Sequence, residues 1–151
     1  MSGLDDTLTM TQLSVPGTHD SGTQKISAGP AHTQNFGIAQ QLADGIRFLD
    51  IRLAKNSAKT PGDPLQVNHG NVSCDITFGD VLNDCSAFLS ENPREVVFML
   101  VNDASGDATA TTVYDGFQAY LGNAAYQGLF CLSSTSPQLA LSQLRGKVVL
   151  L

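Results

Sequence analysis

The 151-residue chain has little basic charge and no long apolar run, and each shortage excludes a class of protein. Eight Lys and Arg residues stand against fourteen Asp and Glu, for a formal net charge of −6. We therefore expect no general nucleic-acid binding, because phosphates would be repelled over most of the surface. No stretch approaches the roughly 20 apolar residues of a membrane-spanning helix. A closed eight-stranded β/α barrel usually needs about 250 residues, so this chain is long enough for only part of one.

The N-terminus and the cysteines leave the cellular compartment open. Residues 1–6 lack the basic and apolar segments of a secretory signal, although a signal removed from a mature protein would leave no trace. The cysteines, Cys74, Cys85 and Cys131, are an odd number and form no CxxC pair, so we expect neither a disulfide framework nor a zinc site. Cys74 and Cys85 could bridge in an oxidising compartment, and the alternative is that they are free, half-buried thiols.

The composition, with 42% hydrophobic and 15% charged residues, is typical of a soluble globular domain with one core. Apolar periodicity predicts strands at 10–15, 46–53, 65–68, 95–101 and 147–151. It predicts helices at 36–44, 77–91, 111–121 and 137–144, with Asp75 or Thr77 capping the second, and loops at 55–64 and 102–109. Strands that alternate with helices favour an α/β fold with a parallel sheet.

The last predicted strand, KVVLL at 147–151, is almost entirely apolar and is followed by no helix that would cover it. Uncovered strands of this kind pair with other chains, so we expect self-association through this strand or poor solubility. The simplest explanation of such an ending is that residues 1–151 are the N-terminal portion of a larger β/α domain.

Polar residues that core packing does not require follow or lie within three predicted strands. They are His19, Asp20, Asp50, Arg52 and His69. Functional residues of a β/α barrel lie at the carboxyl ends of its strands, so we expect these five side chains to converge on one rim. Taken singly, His19 could be a surface or capping residue, and Asp50 with Arg52 could be a structural ion pair. His32 has no such companions and is expected to be structural.

Two imidazoles, two carboxylates and a guanidinium suit phosphoryl transfer without a metal. A neutral imidazole can deprotonate the attacking hydroxyl while a protonated one protonates the leaving oxygen, which predicts a bell-shaped pH profile. Arg52 can hold two phosphate oxygens with its planar fork, and Asp20 or Asp50 can orient an imidazole. A metal-dependent phosphodiesterase is disfavoured, because no His/Asp group has the sequence spacing of metal ligands.

The segments that carry these residues resemble the X domain of phosphatidylinositol-specific phospholipase C. The resemblance begins with SVPGTHDSGT at 14–23 and covers nearly the whole chain in order. It continues through QQLADGIRFLDIRL (40–53), NHG (68–70), TFGDVLNDCSAFLSENPREVVFML (77–100) and LRGKVVLL (144–151).

The resemblance implies a distorted, TIM-like β/α barrel that cleaves phosphatidylinositol, or its glycosylated anchor form, to diacylglycerol and inositol cyclic phosphate. It makes His19 the general base on the inositol 2-hydroxyl and His69 the general acid, with Asp20 as the partner of His69. Arg52 matches the arginine that replaces calcium in the bacterial-type enzymes, so no cofactor is expected, and Asp50 matches a positioning residue. The implied partners are the inositol-phosphate headgroup and, peripherally, a membrane surface.

The chain departs from that family in two respects. A lysine of the bacterial-type enzymes near the end of the fourth strand is replaced by the sequence Val101-Asn102-Asp103. The family's C-terminal half, which supplies inositol-binding groups and a carboxylate that orients the general base, is absent from these 151 residues. A second hypothesis is therefore a catalytically incomplete part of a barrel that binds inositol phosphates or lipid headgroups, or that self-associates.

Overall fold

One mixed β-sheet organises the chain. The computed structural model describes residues 1–27, 29–56, 62–104, 111–131 and 138–151, and within them seven strands form this sheet. The strands are β1 (Gly17–Thr18), β2 (Phe48–Lys55), β3 (Leu65–His69), β4 (Val72–Thr77), β5 (Val96–Asp103), β6 (Phe130–Cys131) and β7 (Lys147–Leu150). The helices are α1 (Ile38–Ala43), α2 (Phe78–Glu91), α3 (Thr112–Leu121) and α4 (Leu141–Leu144). The strand order is β4-β3-β2-β5-β7-β6, and β1 pairs with the first residues of β2.

Most of the predicted elements are confirmed to within a few residues at their ends, including α1, α2, α3, β2, β3, β5 and β7. The predicted helix 137–144 is shorter, since only Leu141–Leu144 is helical and Pro137 lies outside the described residues. Residues 57–61 of the predicted loop 55–64 and residues 105–109 of the predicted loop 102–109 also lie outside the described residues. The described part of the chain contains no helix long and apolar enough to cross a membrane.

The predicted strand at 10–15 is wrong. Met10–Gln12 forms a 3-10 turn, in which the backbone amide of Thr9 donates to the side-chain oxygen of Gln12 at 2.9 Å. The alternating apolar residues Met10, Leu13 and Val15 pack against the buried cluster formed by β5, β7 and α4. Their periodicity therefore reflects packing over one end of the sheet, and the first strand begins only at Gly17.

The sheet is parallel over most of its width, as expected, but it is antiparallel at one end. The pairs β1–β2, β2–β5, β5–β7 and β6–β7 are parallel, but β3 runs antiparallel to β2 and β4 runs antiparallel to β3. The β3–β4 connection is only two residues long, and its Gly70 has φ of 54°, a left-handed conformation that glycine adopts without strain. This hairpin gives the chain a strand, β4, that the sequence analysis did not predict.

Helix α2 begins at a capping box centred on Thr77. The Thr77 hydroxyl accepts a hydrogen bond from the Asp80 amide at 3.1 Å, and the Asp80 carboxylate accepts one from the Thr77 amide at 2.9 Å. Of the two predicted caps, Thr77 is therefore correct and Asp75 is not. The buried stripe of Val81, Leu82 and Cys85 packs this helix against the sheet.

Side chains of β2 alternate between the two faces of the sheet. Leu49, Ile51 and Leu53 are fully buried under the helices, in the larger of two apolar clusters. Phe48 packs in the second cluster, which also contains the N-terminal segment and α4. Because side chains in a strand alternate, Asp50 and Arg52 continue the row of Phe48 along what we call the inner face. The polar residues therefore begin where the apolar cover of the inner face ends.

The expectation that the terminal strand is uncovered is wrong. Strand β7 lies between β5 and β6 in the sheet, so both of its edges are paired, and Val148 and Val149 are fully buried. The reason for expecting self-association through this strand is thereby removed.

All three cysteines are free thiols. This agrees with the second alternative for Cys74 and Cys85, except that both are fully buried and not half-buried. Cys74 and Cys85 are buried, and Cys131 is half-buried.

Candidate active site

A gap along one edge of β2 positions the candidate residues. On this edge β1 pairs with residues 48 and 49 of β2, whereas β3 pairs only with residues 53–55. The loop after β1 occupies the space between them. Its Ser21 amide donates to the Asp50 carbonyl at 2.9 Å, and its Ser21 hydroxyl accepts from the Asp50 amide at 2.9 Å. The loop is thus bonded to β2 as a strand would be, which places His19 and Asp20 beside Asp50 and Arg52.

The backbone at Asp20 turns its side chain into the protein. Asp20 has φ of 46°, a left-handed conformation that aspartate tolerates better than most residues, and its amide donates to Asp50 Oδ2 at 3.1 Å. A second loop holds the turn from outside, because Thr33 Oγ1 donates to the carbonyls of His19 and Asp20 at 3.0 and 3.2 Å. Gln34 Nε2 donates to the His19 carbonyl at 2.7 Å. This bonding leaves the Asp20 side chain 1% exposed.

The Asp20 carboxylate is the centre of the cluster. Its Oδ2 lies 3.1 Å from His19 Nε2 and 3.0 Å from His69 Nε2, and its Oδ1 lies 2.8 Å from Arg52 Nε. Within the described residues, neither carboxylate oxygen has a hydrogen bond of good geometry, so these are close contacts rather than directed hydrogen bonds. A buried carboxylate without directed donors is costly, and it attracts any group that can supply positive charge.

Asp50 supplies the second carboxylate of the cluster. Its Oδ2 lies 3.1 Å from His19 Nδ1 and 3.3 Å from Arg52 Nη2. Arg52 therefore lies between two carboxylates, one on its Nε and one on its Nη2. This arrangement sets the orientation of the guanidinium.

The two histidines differ in how much of each side chain is exposed. The His19 side chain is 62% exposed, although both of its ring nitrogens lie near carboxylates, whereas the His69 side chain is 29% exposed. Their ring centroids are 6.4 Å apart and the rings are nearly perpendicular, at 84°. Both imidazoles thus present Nε2 to the same oxygen of Asp20.

The structure brings together all five residues singled out from the sequence, but not for the reason expected. His69 arrives at the end of β3, which runs antiparallel to β2, so it does not lie on a rim formed by parallel strands. The antiparallel direction brings the end of β3 back toward the middle of β2, where Asp50 and Arg52 are located. His32 lies outside the described cluster of ligand-bearing residues.

No His/Asp group has the spacing of metal ligands along the sequence, but the fold brings one such group together. One ligand atom each from His19, Asp20 and His69 lies within 4.8 Å of the others. Sequence spacing could not reveal this group, because His69 is 49 residues from Asp20 and joins it only through the β2–β3 pairing.

Several residues that support the site were not identified from the sequence. Thr18 Oγ1 donates to Gln41 Oε1 at 2.7 Å, and Gln41 Nε2 donates to the Ser21 carbonyl at 2.8 Å, which ties α1 to the loop of His19. Asn102 on β5 is the register partner of Arg52 and is exposed beside it. Thr18, Ser21 and Gln41 lie within the sequence segments that carry the family resemblance. Only their contacts in the structure distinguish them from ordinary polar residues.

Cys74 lies behind the site and is not suited to act as a nucleophile. Burial raises the pKa of this thiol to about 11, and the negative charges of Asp20 and Asp75 add to the effect. A thiol with so high a pKa remains protonated at neutral pH.

A family model described as phosphatidylinositol-specific phospholipase C, X domain, matches residues 18–151, a range that contains the whole cluster. The chain is 31% identical over 157 residues to the 1-phosphatidylinositol phosphodiesterase of Staphylococcus aureus (strain Newman). That alignment covers 99% of this chain and 49% of the relative. The Listeria monocytogenes 1-phosphatidylinositol phosphodiesterase is 35% identical over 109 residues, which cover 68% of this chain and 32% of that protein. The chain thus spans about half the length of the Staphylococcus relative and about a third of the Listeria relative.

Solved structures show the same relationship in three dimensions. A structure of the Staphylococcus aureus phosphatidylinositol-specific phospholipase C, concerned with modulation of its membrane binding, has a TM-score of 0.84 at 29% identity. The structural alignment covers 99% of this chain and 50% of that one. The Listeria monocytogenes phosphatidylinositol-specific phospholipase C has a TM-score of 0.81 at 29% identity, with 100% of this chain and 54% of that one covered. These likenesses confirm the expected fold, which is part of a TIM-like β/α barrel.

Proposed function

Since the chain belongs to the phosphatidylinositol-specific phospholipase C X-domain family, we propose that it carries the acid–base and phosphate-binding residues of a phospholipase C. The proposed reaction cleaves phosphatidylinositol, or its glycosylated anchor form, to diacylglycerol and inositol 1,2-cyclic phosphate. The observation that carries the proposal is the pair of imidazoles held against one buried carboxylate, with Arg52 bound to the same carboxylate.

His19 is the proposed general base. A carboxylate only accepts hydrogen bonds, so Asp50 Oδ2, 3.1 Å from Nδ1, favours the tautomer with the proton on Nδ1. That tautomer leaves the lone pair of Nε2 to take the proton of the inositol 2-hydroxyl as its oxygen attacks phosphorus. The positive charge that forms on the ring is then stabilised by Asp50, as a carboxylate does for the histidine of a catalytic triad.

His69 is the proposed general acid. As the new bond from phosphorus to the inositol oxygen forms, the bond to the diacylglycerol oxygen breaks, and His69 supplies the proton that this oxygen needs to leave. Asp20, 3.0 Å from His69 Nε2, stabilises the positively charged ring before the transfer. Each turnover takes one proton onto His19 and gives one from His69, so a proton exchange with water restores both rings.

Arg52 is proposed to stabilise the charge that develops on the phosphate oxygens. Its guanidinium is positively charged at any working pH and is oriented by Asp20 and Asp50. Preorganised charge of this kind is effective because no reorganisation is needed during the reaction.

A second candidate function, headgroup binding without turnover, is favoured by the other nitrogen of His19. Its Nε2 lies 3.1 Å from Asp20 Oδ2, so each ring nitrogen faces a group that can only accept. While Nε2 stays against this carboxylate, it does not face a hydroxyl from which it could remove a proton. In this arrangement the cluster would bind the phosphate of an inositol phosphate through Arg52 and the two imidazoles without cleaving it.

Phosphorus NMR of phosphatidylinositol micelles distinguishes the two candidates. The chain is incubated with the micelles in excess EDTA, beside the variants His19→Ala, His69→Ala and His32→Ala. The phospholipase C proposal predicts a cyclic phosphodiester signal for the chain and for His32→Ala, and no signal for the other two. A folded chain, checked by circular dichroism, that gives no signal would overturn it. Calorimetric titration with inositol phosphate would then test the binding function.

A further inference from the structure

We propose that His19, Asp20 and His69 form a binding site for a divalent transition-metal ion such as Zn²⁺, and that this ion blocks the acid–base chemistry of the same residues. The ligand atoms are His19 Nε2, Asp20 Oδ2 and His69 Nε2, which lie within 4.8 Å of one another. Metal binding does not depend on the proposed function, whereas the block of turnover does.

The spacing of the ligand atoms suits a tetrahedral ion. With ligand bonds of about 2.0–2.2 Å, neighbouring ligand atoms of a zinc site lie roughly 3.3 Å apart. The two nitrogen-to-oxygen distances around Asp20 Oδ2 are 3.1 and 3.0 Å, close to that value before any adjustment. The distance between the two Nε2 atoms must then shorten, which requires the two rings to move toward each other. His19 has room for this movement because its side chain is 62% exposed.

The ligand types select the ion. Two imidazole nitrogens and one carboxylate oxygen suit zinc and similar transition metals, whereas Ca²⁺ and Mg²⁺ require mostly oxygen ligands. Three protein ligands also leave the fourth position of a tetrahedron for water or a phosphate oxygen. We therefore expect the site to bind Zn²⁺ in preference to Ca²⁺.

The residues that contact the three ligands are placed as the hydrogen-bond partners of metal ligands usually are. Histidine ligands usually donate their second nitrogen to a carboxylate, and His19 Nδ1 lies 3.1 Å from Asp50 Oδ2. The same contact directs the lone pair of Nε2 toward Asp20. Arg52 holds Asp20 through Oδ1 at 2.8 Å and leaves Oδ2, the oxygen between the two histidines, for the ion.

The buried Asp20 carboxylate is the independent sign that a ligand belongs here. Its side chain is 1% exposed, and within the described residues neither of its oxygens has a hydrogen bond of good geometry. An ion bound to Oδ2 would supply the positively charged partner that this oxygen lacks. The Arg52 charge opposes the ion, so the affinity should rise when that charge is removed.

Calorimetric titration of the chain with zinc chloride, beside calcium chloride, tests the binding. We expect one Zn²⁺ per chain, no measurable Ca²⁺ binding, and movement of the His19 and His69 ring-proton signals in the NMR spectrum. Asp20→Asn and His69→Ala should each weaken Zn²⁺ binding at least tenfold, and Arg52→Gln should strengthen it. The matched control His32→Ala should leave the affinity unchanged, as should Cys131→Ser, which removes the half-exposed thiol.

These measurements distinguish Zn²⁺ binding at His19, Asp20 and His69 from Zn²⁺ binding elsewhere on the surface. They also distinguish Zn²⁺ binding from the proposed phospholipase C function. Zn²⁺ binding that survives His69→Ala but is lost in Cys131→Ser or His32→Ala would overturn the site, as would unmoved His19 and His69 signals in the unsubstituted chain. If the chain turns over phosphatidylinositol, equimolar Zn²⁺ should abolish turnover and EDTA should restore it. Full turnover with the metal bound would overturn the block while leaving the binding site, and a chain without turnover leaves the binding result to decide.

Discussion

Glu95, which precedes β5, offers a quantitative test because its pKa is strongly shifted and it lies away from the candidate site. Its carboxylate accepts hydrogen bonds from the Met1 ammonium and the Ser2 amide at 2.7 Å, and from Arg47 Nε at 2.8 Å. Burial by itself would raise the pKa of Glu95, but these three donors outweigh it and lower the pKa from 4.5 to about 2. The carboxylate thereby ties the N-terminal segment to the start of β5.

A carboxyl group whose pKa is lowered in the folded state stabilises that state above its unfolded pKa. The contribution of Glu95 is therefore complete above about pH 5 and is lost as the pH falls from 4.5 toward 2. A shift of this size corresponds to about 3 kcal/mol in the free energy of unfolding, of which about 2 kcal/mol is lost between pH 6 and pH 3. The stabilisation therefore has a defined pH window.

Urea denaturation of the chain and of Glu95→Gln at pH 6 and pH 3 measures this loss. The variant cannot titrate at this position, so the difference in unfolding free energy between the two proteins isolates the Glu95 proton. We expect the difference to shrink by about 2 kcal/mol at pH 3. The exposed Glu91 at the end of α2 is the matched control, and the difference for Glu91→Gln should change little. An equal difference for Glu95→Gln at both pH values would refute the reasoning.

Three further substitutions test the packing, a helix cap and the site. Gly116→Ala would place a methyl group 2.6 Å from the leucine that begins β3, so urea denaturation should show a loss of about 1–3 kcal/mol. Gly3→Ala, with nothing within 4 Å, should show no such loss. Thr77→Ala removes the cap of α2 and should cost about 1 kcal/mol, whereas Thr111→Ala, where the side chain makes no capping bond, should cost less. In any preparation that turns over phosphatidylinositol, Arg52→Gln should lower kcat about 10²–10³-fold with an unchanged circular-dichroism spectrum, and a smaller loss would remove its proposed role.

Elements whose evidence is local were predictable from the sequence. The apolar stripe of α2 and the alternation of β2 appear in consecutive residues, and their bounds are confirmed to within two residues. The strand at 10–15 failed because alternation reports which side chains are buried, not whether the backbone is paired. Met10, Leu13 and Val15 are partly buried against a core without belonging to a strand. Strand β4 was missed because the turn at Gly70 and Asn71 was not recognised as a hairpin.

The sequence by itself determined which residues are proposed to carry the chemistry: two histidines, two aspartates and an arginine in segments that match one family. It also determined the alternation that places Asp50 and Arg52 on one face of β2. Only the tertiary structure decided how the five side chains meet. The gap beside β2, the left-handed backbone at Asp20 and the antiparallel direction of β3 bring one buried carboxylate within 3.1 Å of both imidazoles. The physical reason is that strand pairing and side-chain burial depend on contacts between residues far apart in the chain, which local periodicity does not record.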